Sequence, residues 1–211
     1  MIVIKKQLMI YLIDLINILI YKECIMAILK VINGNYIEDN SYINLINYIF
    51  KENNIYINYY GCQYLYNNGI DGIAQQFKNI AGYYHQTDGI LLYHYIVSFS
   101  NIYEGWINTP EIALKIVGQA MCNLPYAAIW CVHGDTDDLH VHIIMSPVNI
   151  ENGLKYANKK YDHESLAGRI FFMELIERRN IGKIYKKTYD FICQEQEEAY
   201  VSVPECLVVY E

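Results

Sequence analysis

No glycine-rich phosphate loop of the dinucleotide or P-loop type, and no G-x-S-x-G nucleophile elbow, occurs anywhere in the 211 residues. Nucleotide binding through such loops and serine-hydrolase chemistry are therefore not readings of this chain. The six cysteines, Cys24, Cys62, Cys122, Cys131, Cys193 and Cys206, include no C-x-x-C pair and no regular framework. That disfavours a zinc ribbon, a redox pair and a disulfide scaffold, and reduced thiols in a cytoplasm are expected. A clear membrane span is missing as well. The apolar run over residues 8–20 is broken by Asp14 and Asn17 and is followed by no small-x-small cleavage site. It reads as an appended amphipathic helix, with no stable membrane insertion.

Positive charge is scarce too, with 16 Lys and Arg against 23 Asp and Glu and a net charge of −7. Such a balance opposes non-specific wrapping of nucleic acid over the whole surface. The charge is not evenly spread, however. Residues 155–187 carry nine basic against four acidic side chains, whereas residues 188–211 hold six acidic and no basic ones. A hydrophobic fraction of 54% and a mean hydropathy of +0.06 argue against disorder, and the length suits one domain with a sizeable core. The expected division is an N-terminal extension over 1–25, a folded domain over 26–187 and an acidic tail over 188–211. Met26 reads as a fresh start ahead of a first strand. The 22 tyrosines follow the Ile-, Asn- and Lys-rich bias of the chain, so any one of them is weak evidence alone.

What is present is concentrated between Cys131 and Met145. Three of the six histidines, His133, His140 and His142, fall there as H-x6-H-x-H. The flanking residues Ala128-Ile129-Trp130-Cys131-Val132 and Val141, Ile143 and Ile144 are apolar and partly β-branched, which predicts two strands. Gly134-Asp135-Thr136-Asp137-Asp138-Leu139 between them is short and turn-rich, so an antiparallel hairpin is the economical connection. Strand side chains alternate faces, so His140 and His142 point one way and Val141 the other. Closing the hairpin brings His133 beside His140, and three imidazoles can then converge on one divalent ion: Mg or Mn, with Zn as a further candidate.

Around the hairpin the pattern alternates. Residues 26–32 read as a fresh start followed by a first strand, and Ser41 is placed as the cap of a helix through Lys51 with Tyr42, Leu45, Ile46, Ile49 and Phe50 on its apolar side. Residues 70–84 fit a second helix and residues 91–100 a strand. Thr109-Pro110-Glu111 opens a third helix: Thr caps, Pro sits at the first position and Glu answers the dipole. Residues 163–179 fit a fourth helix, and Leu207-Val208-Val209-Tyr210 a last strand. The class is α+β, a central antiparallel sheet flanked by helices.

Three blocks in this order resemble the relaxase, or mobilization nuclease, family of the HUH endonuclease superfamily. Asn44-Leu45-Ile46-Asn47-Tyr48-Ile49-Phe50-Lys51 is similar to the family's first motif, whose tyrosine is the nucleophile. Tyr93-His94-Tyr95-Ile96-Val97-Ser98-Phe99 is similar to the second, whose serine holds DNA. The stretch from His133 to His142 is similar to the third, the metal site. The resemblance covers about residues 26–180 and implies an HUH-endonuclease-like fold. One departure is Ser146, where the family usually carries asparagine. The implied activity is nicking of one DNA strand at a plasmid or mobile-element transfer origin during conjugation. Single-stranded origin DNA would be the substrate, and accessory relaxosome proteins are possible partners.

The resemblance implies roles for particular residues. Tyr48 attacks the phosphodiester to give a 5′-phosphotyrosine, and His133, His140 and His142 hold the divalent ion that neutralises the phosphate. Free tyrosine titrates near 10, so assistance is needed. Asp135 is the candidate base or the partner that orients a histidine, with a plain turn residue as the alternative. Ser98, Lys159 and Lys160 are candidate DNA contacts. Tyr42 is the nearest rival to Tyr48, and His94 reads as a packed strand residue. Competing readings keep the fold with another role: a rolling-circle replication initiator, an inactive remnant that binds DNA or a partner, or a metal-dependent hydrolase unrelated to DNA.

Overall fold

The computed structural model describes residues 27–34, 36–51, 54–99, 109–136, 138–156, 160–184 and 208–210. In chain order these form β1 (Ile28–Ile32), α1 (Ser41–Ile49), β2 (Tyr60–Gln63), α2 (Ile70–Tyr83), β3 (Tyr93–Phe99), α3 (Pro110–Met121), β4 (Tyr126–His133), β5 (Leu139–Asn149), α4 (Lys160–Ile184) and β6 (Val208–Tyr210). The strands make one sheet in the order β2-β4-β5-β3-β1-β6. Every pairing is antiparallel except that of β6, which joins the edge of the sheet parallel to β1. The last strand expected from the sequence thus exists, but it makes the sheet mixed at that edge. The arrangement is α+β.

Helices cover both faces of the centre, which is why β4 and β5 are buried almost throughout and read as near-continuous apolar runs. On one face Tyr93, Tyr95, Val97 and Phe99 of β3 meet Val141, Ile143 and Met145 of β5 beneath Ile116, Val117 and Met121 of α3 and Leu166 and Ile170 of α4. On the other, Ile129, Cys131 and Ile144 lie under Leu45, Ile46 and Ile49 of α1 and Ile73 and Phe77 of α2. The histidines belong to this second face.

A local signal explains the start of α3. Thr109 is extended and its side chain accepts from the Ile112 amide, with Pro110 at the first position, as the sequence predicts. At α1 the expectation is corrected. Asn40 precedes the helix with helical dihedrals and makes no side-chain cap bond, so Ser41 is the first helical residue and is buried. The helix still forms because Tyr42, Leu45, Ile46 and Ile49 repeat at three- and four-residue spacing and are all buried. The same spacing leaves Asn44, Asn47 and Tyr48 exposed. Among the described residues no helix is long and apolar enough to cross a membrane.

Candidate metal centre and nucleophile

Register places the histidines. His133 of β4 lies directly opposite His140 of β5, and His140 lies opposite Ser98 of β3. One row further along the same face, His142 is flanked by Cys131 and Ile96. Period-two alternation therefore sets three imidazoles in adjoining positions on one face. One nitrogen from each of His133, His140 and His142 lies within 4.8 Å of the others, and all three residues are buried.

Hydrogen bonds settle which nitrogens are available. The Nε2–H of His133 donates to the Ile49 carbonyl at 2.8 Å, and its Nδ1 is buried with no hydrogen-bond partner. His140 Nδ1 lies 3.1 Å from the Asp138 carbonyl, which can only accept, so Nδ1 carries a proton and Nε2, 3.3 Å from Asp135 Oδ1, is the nitrogen left toward the other imidazoles. His142 Nδ1 faces His94 Nε2 at 2.8 Å, leaving its own Nε2 for other work. Burial, followed by the like charge of neighbouring imidazoles, holds His142 down to about 2. Burial also lowers His133. Three buried imidazoles, an orphaned buried nitrogen on His133 and an all-nitrogen donor set fit a borderline divalent ion.

Tyr48 lies across this cluster from α1. Its ring centroid is 5.3 Å from that of His142, 5.9 Å from His94 and 6.4 Å from His133. It is 46% exposed, so its ring borders the histidines while its surface remains open to a substrate. The rival Tyr42 is buried and stacked on Phe77, and burial together with the Asp39 charge pushes its hydroxyl to about 12. It packs in the core between α1 and α2 beside Phe77. Leu45 is buried and Phe50 half-buried, while Asn47 is exposed beside Tyr48.

Asp135 sits in the hairpin turn between the triad and α1. Its Oδ2 accepts from Lys51 Nζ at 2.6 Å, and its Oδ1 is 3.3 Å from His140 Nε2. The Lys51 hydrogen bond holds the Asp135 carboxyl below its usual range. Lys51 Nζ also lies 5.5 Å from the Tyr48 ring centroid. Gly134 permits the tight passage from His133 into this turn, since a Cβ there would come within 2.3 Å of the Tyr56 ring.

Ser98 is half-buried on the histidine face, one strand over from His140. Lys159 lies outside the described residues, and Lys160 opens α4 with its side chain likewise outside them. Ser146 is buried, and its hydroxyl accepts from the Val148 amide at 3.1 Å. His85 is exposed at the end of α2, and His163 packs on the opposite face of the sheet against Tyr93, Tyr95 and Tyr156.

Two residues to which the sequence assigned no role in the chemistry belong to the site. Lys51, the last residue of the first motif block, pairs with Asp135 beside Tyr48. His94, expected as a packed strand residue, is buried but is also hydrogen-bonded to His142. Its parity with Ser98 on β3 is the signal that points to it, because alternation puts residues 94, 96 and 98 on one face.

Three buried imidazoles on one sheet face, bordered by a half-exposed tyrosine, lie within the residues that a family comparison matches. Residues 36–170 match the sequence profile described as relaxase, MobA/VirD2-like, nuclease domain. The chain belongs to that family. The match spans Tyr48, Ser98 and the whole histidine hairpin. No curated protein sequence and no solved structure shows a significant match.

Proposed function

We propose that the chain is a site- and strand-specific DNA nickase that works through a tyrosyl intermediate at a transfer origin. The observation that carries this reading is the placement of the Tyr48 ring over His142 and His133, at centroid separations of 5.3 and 6.4 Å. His133 through Nδ1, and His140 and His142 through Nε2, would hold a divalent ion. When bound there, the ion supplies Lewis-acid neutralisation of phosphate charge. An imidazole set suits Zn- or Mn-type ions better than Mg, which prefers oxygen ligands and keeps its waters.

Tyr48 Oη forms the new bond to phosphorus as the bond to the 3′ oxygen breaks. The phenolic proton leaves to water at the open side of the site, and the departing oxygen takes one up as a 3′ hydroxyl. The 5′-phosphotyrosine conserves the phosphodiester's bond energy for rejoining. Lys51 places a positive charge beside the attacking oxygen and the phosphate. Asp135 would orient Lys51: one oxygen accepts from Lys51, the other lies 3.3 Å from the His140 nitrogen assigned to the ion, and with its proton affinity lowered it is a weak base. Ser98 and the basic stretch that includes Lys159 and Lys160 would contact the DNA backbone.

The experiment is incubation with Mn, Zn or Mg and labelled single-stranded oligonucleotides spanning candidate origins. A denaturant-resistant protein–DNA adduct is expected. Its absence across metals and sequences would favour an inactive DNA-binding remnant.

A further inference from the structure

His94 stands behind the triad, outside the set of ion-facing nitrogens, and is buried near the start of β3. Its ring stacks on His142 at a centroid distance of 5.1 Å and an interplanar angle of 29°. The two nitrogens facing each other, His94 Nε2 and His142 Nδ1, are 2.8 Å apart, so one proton lies between them. On its far side, His94 Nδ1 is 3.2 Å from the Tyr36 hydroxyl. Tyr36 is in turn anchored in the segment between β1 and α1, where its carbonyl accepts from the Leu91 amide at 2.9 Å.

We propose that His94 is a positioning residue that, with Tyr36, fixes the tautomer and ring plane of His142 so that Nε2 of His142 faces the ion site. The inference rests on the metal-site reading above. Its logic is proton counting. A neutral His142 that presents a lone pair at Nε2 carries its proton on Nδ1 and donates it to His94 Nε2. A neutral His94 that accepts there carries its own proton on Nδ1 and donates it to the Tyr36 oxygen. Each group then has one role, and the chain runs in one direction from the ion site to Tyr36. A carboxylate behind His142 would do the orienting with an extra buried negative charge; an imidazole does it without one. The same ring also borders Tyr48, 5.9 Å between centroids, so ligand and nucleophile share one support.

The test uses the full chain as wild type, His94→Phe, His94→Gln and Tyr36→Phe. Phenylalanine keeps ring volume and loses the acceptor; glutamine returns an acceptor near the Nε2 position. Calorimetric titration with Mn or Zn alone should show about 10- to 100-fold weaker binding in His94→Phe, near-wild-type binding in His94→Gln and a smaller loss in Tyr36→Phe. Long-range proton–nitrogen NMR of the metal-free protein should find wild-type His142 protonated on Nδ1, with that preference lost in His94→Phe and regained in His94→Gln. Equal metal affinity in wild type and His94→Phe, or a His94→Gln protein as weak as His94→Phe, would overturn the proposal. So would a wild-type His142 protonated on Nε2. Failure of the wild type to bind either ion would instead overturn the metal-site reading, and the NMR result would still decide the role of His94.

Discussion

His133 holds the end of the helix that carries Tyr48: its Nε2–H donates to the Ile49 carbonyl at 2.8 Å. A carbonyl in the last turn of a helix has no intrahelical partner, so this bond also satisfies one of α1's orphan acceptors. The proposed ion site and the proposed nucleophile are thereby tied through a single imidazole. His133→Ala should remove metal binding and leave the Ile49 carbonyl without that partner, at a cost of about 1–3 kcal/mol. Denaturant melts of the metal-free protein separate that cost from the loss of the ion, and an unchanged midpoint would show that the bond to α1 is not structural.

Tyr48→Phe should leave no adduct while changing stability by less than about 0.5 kcal/mol, because the side chain is half exposed and only a hydroxyl is removed. Single-stranded DNA binding should persist in a gel-shift assay. An undiminished adduct would move the nucleophile to another tyrosine, although Tyr42 is excluded as long as it stays buried on Phe77.

Lys51→Met should slow nicking by about 10²- to 10³-fold, the usual effect of removing one positioned donor from a developing charge. Metal affinity should change little, since Lys51 offers no ligand atom and its hydrogen bond on this side goes to Asp135. Single-turnover rates at saturating DNA are the measurement. A loss confined to DNA affinity would make Lys51 a simple phosphate-binding residue.

Acid should destabilise the metal-free protein through its buried neutral histidines. Burial, with a further contribution from His133, holds His94 near 4, against 6.5 for a free imidazole. The unfolded chain therefore binds more protons than the folded one between these values, and stability falls as pH drops from about 6.5 toward 4. Above 6.5 the contribution is fully present. Thermal midpoints measured from pH 7.5 to 4.5 should fall along this window, and His94→Gln should flatten the slope. A flat wild-type profile would contradict the burial of neutral imidazoles.

Replacing Lys159 and Lys160 together should weaken oligonucleotide binding uniformly across sequences. The slope of log affinity against log salt should drop by about 1.4, because each single-strand phosphate that a lysine neutralises contributes roughly 0.7 to it. An unchanged slope would place the DNA track elsewhere on the surface.

Much of the site is legible in the chain before any fold is known. H-x6-H-x-H across a turn-rich hairpin implies three imidazoles on one face, because strand alternation and hairpin closure are local properties of the chain. The apolar repeat at Tyr42, Leu45, Ile46 and Ile49 likewise determines that Tyr48 faces outward from its helix. The capping role given to Ser41 fails for a local reason too: the preceding Asn40 is helical in its dihedrals, and the helix begins one residue before a cap at Ser41 would allow.

Other features depend on packing between segments far apart in sequence. That α1 lies on the histidine face, with Tyr48 over the triad, follows from packing Ile46 and Ile49 against Ile129, Cys131 and Ile144, and no periodicity encodes a choice between the two faces of a sheet. The parallel pairing of β6 with β1 is likewise a long-range choice made at the sheet edge. His94 shows the division most clearly. Its spacing is that of a packed strand residue, and it is indeed buried. Only the register that sets Ile96 opposite His142 brings His94 diagonally against that imidazole, across 48 residues of chain. Side-chain alternation determined the face on which each residue stands; inter-strand register, decided by the packing of the whole sheet, determined which of those residues touch.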